Sequence, residues 1–200
     1  MTMKIKAVLT IDTSGSMSGK KLEDAKQASL DFTRKLPKDG KVGIVSFNGG
    51  GGKVVVSPTS KTNRIDLALT KLSANGQTPL HAGLKLSYLK LKGAGLKDKV
   101  AKALSLKNKE KEEETSKKSI VLSTDGKANV GPGNKGIISL GKKIKRQGIK
   151  IITVAIGGDA DFKLLQELAS GKENFHKAEF SGELPGLYRE IASGLVVKED

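Results

Sequence analysis

The chain has 200 residues, enough for one domain with a substantial core and short for two. Its 36 Lys and Arg against 21 Asp and Glu leave a formal net charge of +15, which excludes an acidic surface and favours acidic partners. The absence of cysteine removes disulfides, zinc–thiolate sites and thiol catalysis together, and with only 4% aromatic residues the core must be built from Ile, Leu, Val and Ala.

Along the chain, Ile5 to Ile11 is a β-branched apolar run with the character of a buried strand, ended by Asp12-Thr13-Ser14-Gly15-Ser16. Leu22, Ala25, Ala28, Ser29, Phe32 and Leu36 recur every three or four residues and predict a helix that stops near Pro37. Val42 to Phe47 reads as the second strand. Asn48 and the glycines Gly49 to Gly52 then turn the chain, and Lys53 to Ser57 reads as a short third strand. So short a turn predicts an antiparallel hairpin with the third strand at a sheet edge. Ile65, Leu69 and Leu72 mark a brief helix, and Leu80, Leu84, Leu86 and Leu89 a longer one after Pro79. Ser119 to Thr124 and Ile149 to Ile156 are buried strands, with Ile137, Ile138 and Ile144 on the helix between them. Phe162, Leu165 and Leu168 begin a further helix, Asn174 to Ala178 is a last short strand, and Leu184 to Val196 a closing helix.

This alternation predicts a doubly wound, Rossmann-like α/β fold. The sheet is expected to be six-stranded and mostly parallel, with one antiparallel edge strand and helices on both faces. Residues 1–200 are expected to form a single domain, interrupted by a charged insertion at 97–118 that contains Lys109-Glu110-Lys111-Glu112-Glu113-Glu114. In such folds ligands bind outside the carboxyl ends of the strands.

The loop after the first strand places one carboxylate, Asp12, and two hydroxyls, Ser14 and Ser16, at alternating positions. Hard divalent cations such as Mg2+ take oxygen ligands in a tight octahedron and retain some of their water. This loop can supply part of such a shell and leave a position open. Thr78, in Gly76-Gln77-Thr78-Pro79-Leu80, and Asp125, in Ser123-Thr124-Asp125-Gly126, can complete it. Asp12, Ser14, Ser16, Thr78 and Asp125 therefore form the candidate metal set, and Mn2+ accepts the same oxygens as Mg2+. Asn129 reads equally as a support for its loop or as an ordinary loop residue. His81 reads as a helix-surface side chain and His176 as structural, because no nucleophile with a base and an orienting group accompanies them. Asp159 and Asp161 read as caps for the helix at Phe162, and Gly49 to Gly52 as a hairpin tip.

Asp12-x-Ser14-x-Ser16, Thr78 and Asp125-Gly126 resemble the metal-ion-dependent adhesion site of von Willebrand factor A domains. The resemblance extends over nearly the whole chain, and its strand order is the one read above. Gly43-Ile44-Val45-Ser46-Phe47-Asn48-Gly49, Asn75 to Leu84 and Thr124-Asp125-Gly126-Lys127-Ala128-Asn129 are similar to the A domain of D-type subunits of magnesium and cobalt chelatases. The family resemblance implies that Ser14, Ser16 and Thr78 offer hydroxyl oxygens to the ion. It implies that Asp12 and Asp125 act through bound waters, and that a Glu or Asp of a partner protein fills the open position. The chelatase likeness further implies an AAA+ ATPase partner. The chain itself holds no Gly-x-x-x-x-Gly-Lys-[Ser/Thr] phosphate loop.

The expected function is therefore a Mg2+-dependent protein-binding module and not an enzyme. A basic nucleic-acid-binding protein with an incidental metal site is the alternative that the charge raises. Against it stand only four arginines (Arg34, Arg64, Arg146, Arg189) and the few aromatic side chains available for stacking. The first strand starts almost at the N-terminus, which leaves no room for a signal peptide, and no apolar run reaches membrane-spanning length. A cytoplasmic location is expected.

Overall fold

Successive residues of the first strand face opposite ways, and both sides are buried. Ile5, Ala7, Leu9 and Ile11 enter one hydrophobic cluster and Val8 the other. A strand apolar on both faces must be covered on both faces, which in practice means a largely parallel sheet between two helical layers. The computed structural model describes residues 4–92 and 116–196 and has this architecture. Its elements run β1 (Lys4–Asp12), α1 (Lys20–Lys35), β2 (Lys41–Asn48), β3 (Gly51–Thr59), α2 (Thr62–Thr70), α3 (Leu80–Lys92), β4 (Ser116–Thr124), α4 (Gly133–Arg146), β5 (Ile149–Ile156), α5 (Phe162–Leu168), β6 (Phe175–Ala178) and α6 (Leu184–Val196).

The six strands lie in the order β3-β2-β1-β4-β5-β6. All pairings are parallel except β2 with β3. The expected doubly wound sheet with one antiparallel edge strand is thus the observed fold. Helices α1, α2 and α6 cover one face through residues such as Phe32, Ile65 and Tyr188. Helices α3, α4 and α5 cover the other through Leu84, Ile137 and Leu165. Phe32 of α1 meets Tyr188 of α6 edge to face, with ring centroids 6.2 Å apart.

Register brings the site together. β1 and β4 are the central pair, aligned Ile11 with Ser123, so Asp12 and the Thr124-Asp125 step leave the sheet side by side at its carboxyl edge. Asp12 pairs with Phe47 on the other side, which sets the β2–β3 hairpin beside the same edge.

Several boundaries differ from the sequence expectation. Only Gly49 and Gly50 form the hairpin turn, because Gly51 and Gly52 pair with Asn48 and Phe47 in β3. Gly52 serves a different purpose: a Cβ there would lie 2.9 Å from the Ala82 carbonyl oxygen, so its bareness lets α3 settle on the strand. The buried stripe of α3 is Leu80, Gly83, Leu84, Ser87, Tyr88 and Leu91, which leaves Leu86 and Leu89 only half-buried. The expected charged insertion falls largely outside the described residues, and its last part, Ser116 to Lys118, already belongs to β4.

Gly83 is the tightest contact between α3 and the sheet, since a Cβ there would stand 2.5 Å from Cδ1 of Phe47. Both are walled in, so the ring has little room to yield. Gly83→Ala is expected to cost about 1–3 kcal/mol of stability through overpacking, measured by urea denaturation in EDTA.

Candidate metal centre

The centre begins where β1 runs out of partners. Past Asp12 the chain enters a 3₁₀ turn at Gly15–Met17, held by the Met17 amide on the Ser14 carbonyl at 3.0 Å. The turn folds Ser14 and Ser16 back over the strand end, and their hydroxyl oxygens lie 3.2 Å apart. Asp12 is fully buried, and its Oδ1 accepts the Ser14 backbone N–H at 2.8 Å. Its Oδ2 accepts a short hydrogen bond from the Thr124 hydroxyl of β4. Asp125, only 2% exposed, accepts the Ser16 hydroxyl on Oδ1 at 2.7 Å and the Lys21 ammonium on Oδ2 at 2.6 Å.

Thr78 arrives from the opposite side. Its loop is tied to the Asp12 loop by two backbone hydrogen bonds, Asn75 N–H to the Thr13 carbonyl and Gly15 N–H to the Gly76 carbonyl, each 2.9 Å. It also packs backbone against backbone on the hairpin: a Cβ on Gly76, whose φ is +67°, would lie 2.9 Å from Gly49 Cα. From the β4 side, Asn129 accepts the Thr78 N–H on its Oδ1 at 2.8 Å, while its own N–H reaches the Thr78 carbonyl. Asn129 is therefore a clamp on the Thr78 backbone, which settles what the sequence left open.

All five candidate residues thus converge on one edge of the sheet. The donor set open to a cation is three hydroxyls and two carboxylates, a composition suited to Mg2+ or Mn2+ and foreign to soft metals. No group of three or more His, Cys, Asp or Glu side chains gathers among the described residues, so a carboxylate-rich calcium cage is not what the site resembles. Gly126 lies beside both hydroxyls: a Cβ there would stand 3.6 Å from the Thr78 hydroxyl oxygen and 3.9 Å from that of Ser16, in ordinary contact with each, which places the two oxygens around the same point. The residues fit an ion.

Electrostatics point the same way. Burial raises the Asp12 carboxyl above its ordinary 3.8, against the Thr124 and Ser14 hydrogen bonds that lower it, and the neighbouring Asp125 adds to the rise. A raised carboxyl means the folded state holds its proton more tightly than the unfolded one. The Asp12 contribution therefore turns against folding as pH climbs from 3.8 through the folded-state value, and a bound cation would reverse it.

The remaining candidates have other work. Asp161 caps α5, its Oδ1 accepting the Leu164 N–H at 3.0 Å, while Asp159 is an exposed loop residue. His81 is held below 6.5 by partial burial and by Lys85, and its Cβ stands near Gly131 of the loop that follows Asp125. His176 is half-buried in β6 and held below 6.5 by that burial.

Comparison with known proteins gives the family. A model of the von Willebrand factor type A domain matches residues 8–190, and the chain belongs to this family. Its domains are typically metal-dependent protein-interaction modules. Heavy chain 4 of mouse inter-alpha-trypsin inhibitor is 24% identical over 98% of this chain, which spans 20% of that protein. A von Willebrand factor type A structure from Catenulispora acidiphila superposes with a TM-score of 0.78 at 20% identity, covering 98% of this chain and 44% of that one. Proximal thread matrix protein 1 from the mussel byssus, with zinc in its adhesion-site motif, superposes at 0.76 and 19% identity, covering 97% of this chain and 48% of that one. The chain thus spans about a fifth to a half of these relatives.

Two variants separate the roles at the centre. Asp12→Asn removes a charge that burial penalises, so its thermal midpoint in EDTA is expected to match or exceed wild type, while the rise caused by Mg2+ disappears. Asn129→Ala leaves every oxygen ligand in place but frees the Thr78 backbone. Its ion affinity by calorimetry is expected to fall about 10- to 100-fold.

Proposed function

We propose that the centre binds Mg2+, with Mn2+ as the alternative ion, and that the bound ion captures a Glu or Asp side chain of a partner protein. Ser14, Ser16 and Thr78 meet the ion directly, and Asp12 and Asp125 act through bound water. The observation that carries this reading is the convergence of the Ser14, Ser16 and Thr78 hydroxyls beside Gly126, with both carboxylates held back by hydrogen bonds of their own. An ion with few direct carboxylate ligands stays electron-poor and takes an incoming carboxylate strongly.

The reading is of a binding module and not an enzyme. Every carboxylate oxygen at the centre is already engaged by a hydrogen bond, which leaves it poorly placed to take a proton from water. The surrounding surface suits an acidic partner. The net charge of +15 favours encounter, and Phe180, 73% exposed, and Val130 stand on loops that leave the same edge of the sheet. Phe180 is the one exposed aromatic side chain among the described residues, and such side chains often anchor interfaces. An AAA+ ATPase presenting an acidic segment is the partner class implied by the likeness to chelatase D-type subunits. A cytoplasmic setting goes with that partner, and no helix of the described residues is long and apolar enough to cross a membrane.

Isothermal titration of the chain with Mg2+ and Mn2+ tests the first half. One saturable site is expected in the wild type and none in Asp12→Ala. Pull-down with and without EDTA, against an AAA+ candidate whose acidic residue is changed to alanine, tests the second. Thr78→Ala is expected to cut that association at least about tenfold and to shift the EDTA midpoint little. Association that survives EDTA would point instead to the lysine surface.

A further inference from the structure

We propose that Lys21 is a built-in competitor for the divalent ion, an ammonium group held on Asp125 that weakens ion uptake and couples it to arrival of the partner's carboxylate. The inference rests on the metal-centre reading given above.

Lys21 lies in the first turn of α1, directly after the 3₁₀ turn that carries Ser16. Its Nζ sits 2.6 Å from Asp125 Oδ2, and its side chain is 40% exposed whereas that of Asp125 is 1% exposed. The lysine thus reaches in from the solvent side and meets a carboxylate that solvent hardly touches. Its neighbour Lys20 turns elsewhere, onto Asp24 at 2.8 Å. Among the described residues no cation pairs with Asp12, whose two oxygens take the Ser14 amide and the Thr124 hydroxyl. Lys21 is the positive charge that accompanies the two buried carboxylates.

An ion entering between Ser14, Ser16, Thr78 and Asp125 meets that charge. If the ammonium stays, it repels a divalent cation only a few ångströms away; if it leaves, Asp125 gives up a short ion pair. Either course weakens uptake. The charge count then explains what is gained. Two carboxylates alone would bring a divalent centre to no net charge, so only the ion's short-range demand for a ligand would draw a third carboxylate. With Lys21 present the loaded centre keeps one net positive charge, which the partner's Glu or Asp neutralises. Lys21 exchanges affinity for the ion against affinity for the partner.

The test is calorimetric titration of Mg2+ and Mn2+ into the metal-free full chain for wild type, Lys21→Met and Lys21→Arg, with thermal midpoints in EDTA and in saturating Mg2+. Lys21→Met is expected to bind either ion about tenfold or more tightly, and Lys21→Arg to stay near wild type. The methionine variant should melt below wild type in EDTA and gain more from Mg2+. A lysine that only braced the fold would lower both midpoints alike and leave ion affinity unchanged, which overturns the proposal while ion binding stands. Absence of binding in wild type and variant alike overturns this inference and the proposed function together. Lys21→Gln, which keeps a donor for Asp125 without the charge, replaces the methionine variant if that chain does not fold, with the same expected tightening.

Discussion

The rest of the structure depends on burying two carboxylates, Asp12 and Asp125, at the adjoining ends of the two central strands. Both are almost wholly removed from water, a costly place for charge unless each oxygen finds a donor. The donors come from three directions: the Ser14 amide on the same loop, the Thr124 hydroxyl on the next strand, and Ser16 with Lys21 at the start of α1. Parallel register between β1 and β4 is what makes these reaches possible. A shift by one residue would turn Asp12 into the opposite layer and take Thr124 out of range.

The hydroxyl side of the centre is held by a different means. Thr78 belongs to no regular element, so backbone contacts must place it. Gly76 approaches Gly49 too closely to carry a Cβ, and the Asn75, Gly15 and Asn129 hydrogen bonds fasten the loop to the strand ends on both sides. The hairpin, the Thr78 loop and the two Asp loops therefore form one block. These contacts hold the loops that carry the oxygens, and holding them in advance would lower the cost of ordering them on binding.

Much of this was legible in the sequence, and the reasons are specific. β5 begins and ends where its apolar pattern does, because Gly148 and Gly157 bound the run at either end. The five oxygen-bearing candidates could be named because each sits just past the carboxyl end of a readable strand or next to a proline that starts a helix. The hidden parts are those that depend on distant contact. Gly51 and Gly52 looked like turn residues, since nothing local reveals that the Ala82 carbonyl presses on Gly52. Thr124 read only as the last residue of a buried strand, while its hydroxyl serves Asp12 across 112 positions. Lys21 is one basic residue of 36, and only the fold brings it over the 104 positions to Asp125.

The placement of charge ties these layers to function. A basic chain gains little specificity from its field alone, because lysines spread over a surface attract any polyanion. Concentrating recognition at a single ion changes that. The two carboxylates beside the hydroxyls are buried and already bonded, so drawing either one directly onto a cation would cost the hydrogen bonds that hold it. Under the proposed function the ligand that finishes the shell would come from outside, and an exposed Asp or Glu is short, negative and sterically free enough to serve. The +15 field then speeds encounter with a surface that bears such a residue. In that proposal the centre would decide which carboxylate stays, and the exposed Phe180 on the same rim would offer apolar contact to the docked partner. A long-range field for encounter and a short-range centre for selection are separate demands. Under the proposed function they would fall on separate residues, the surface lysines for the first and the strand-end oxygens for the second.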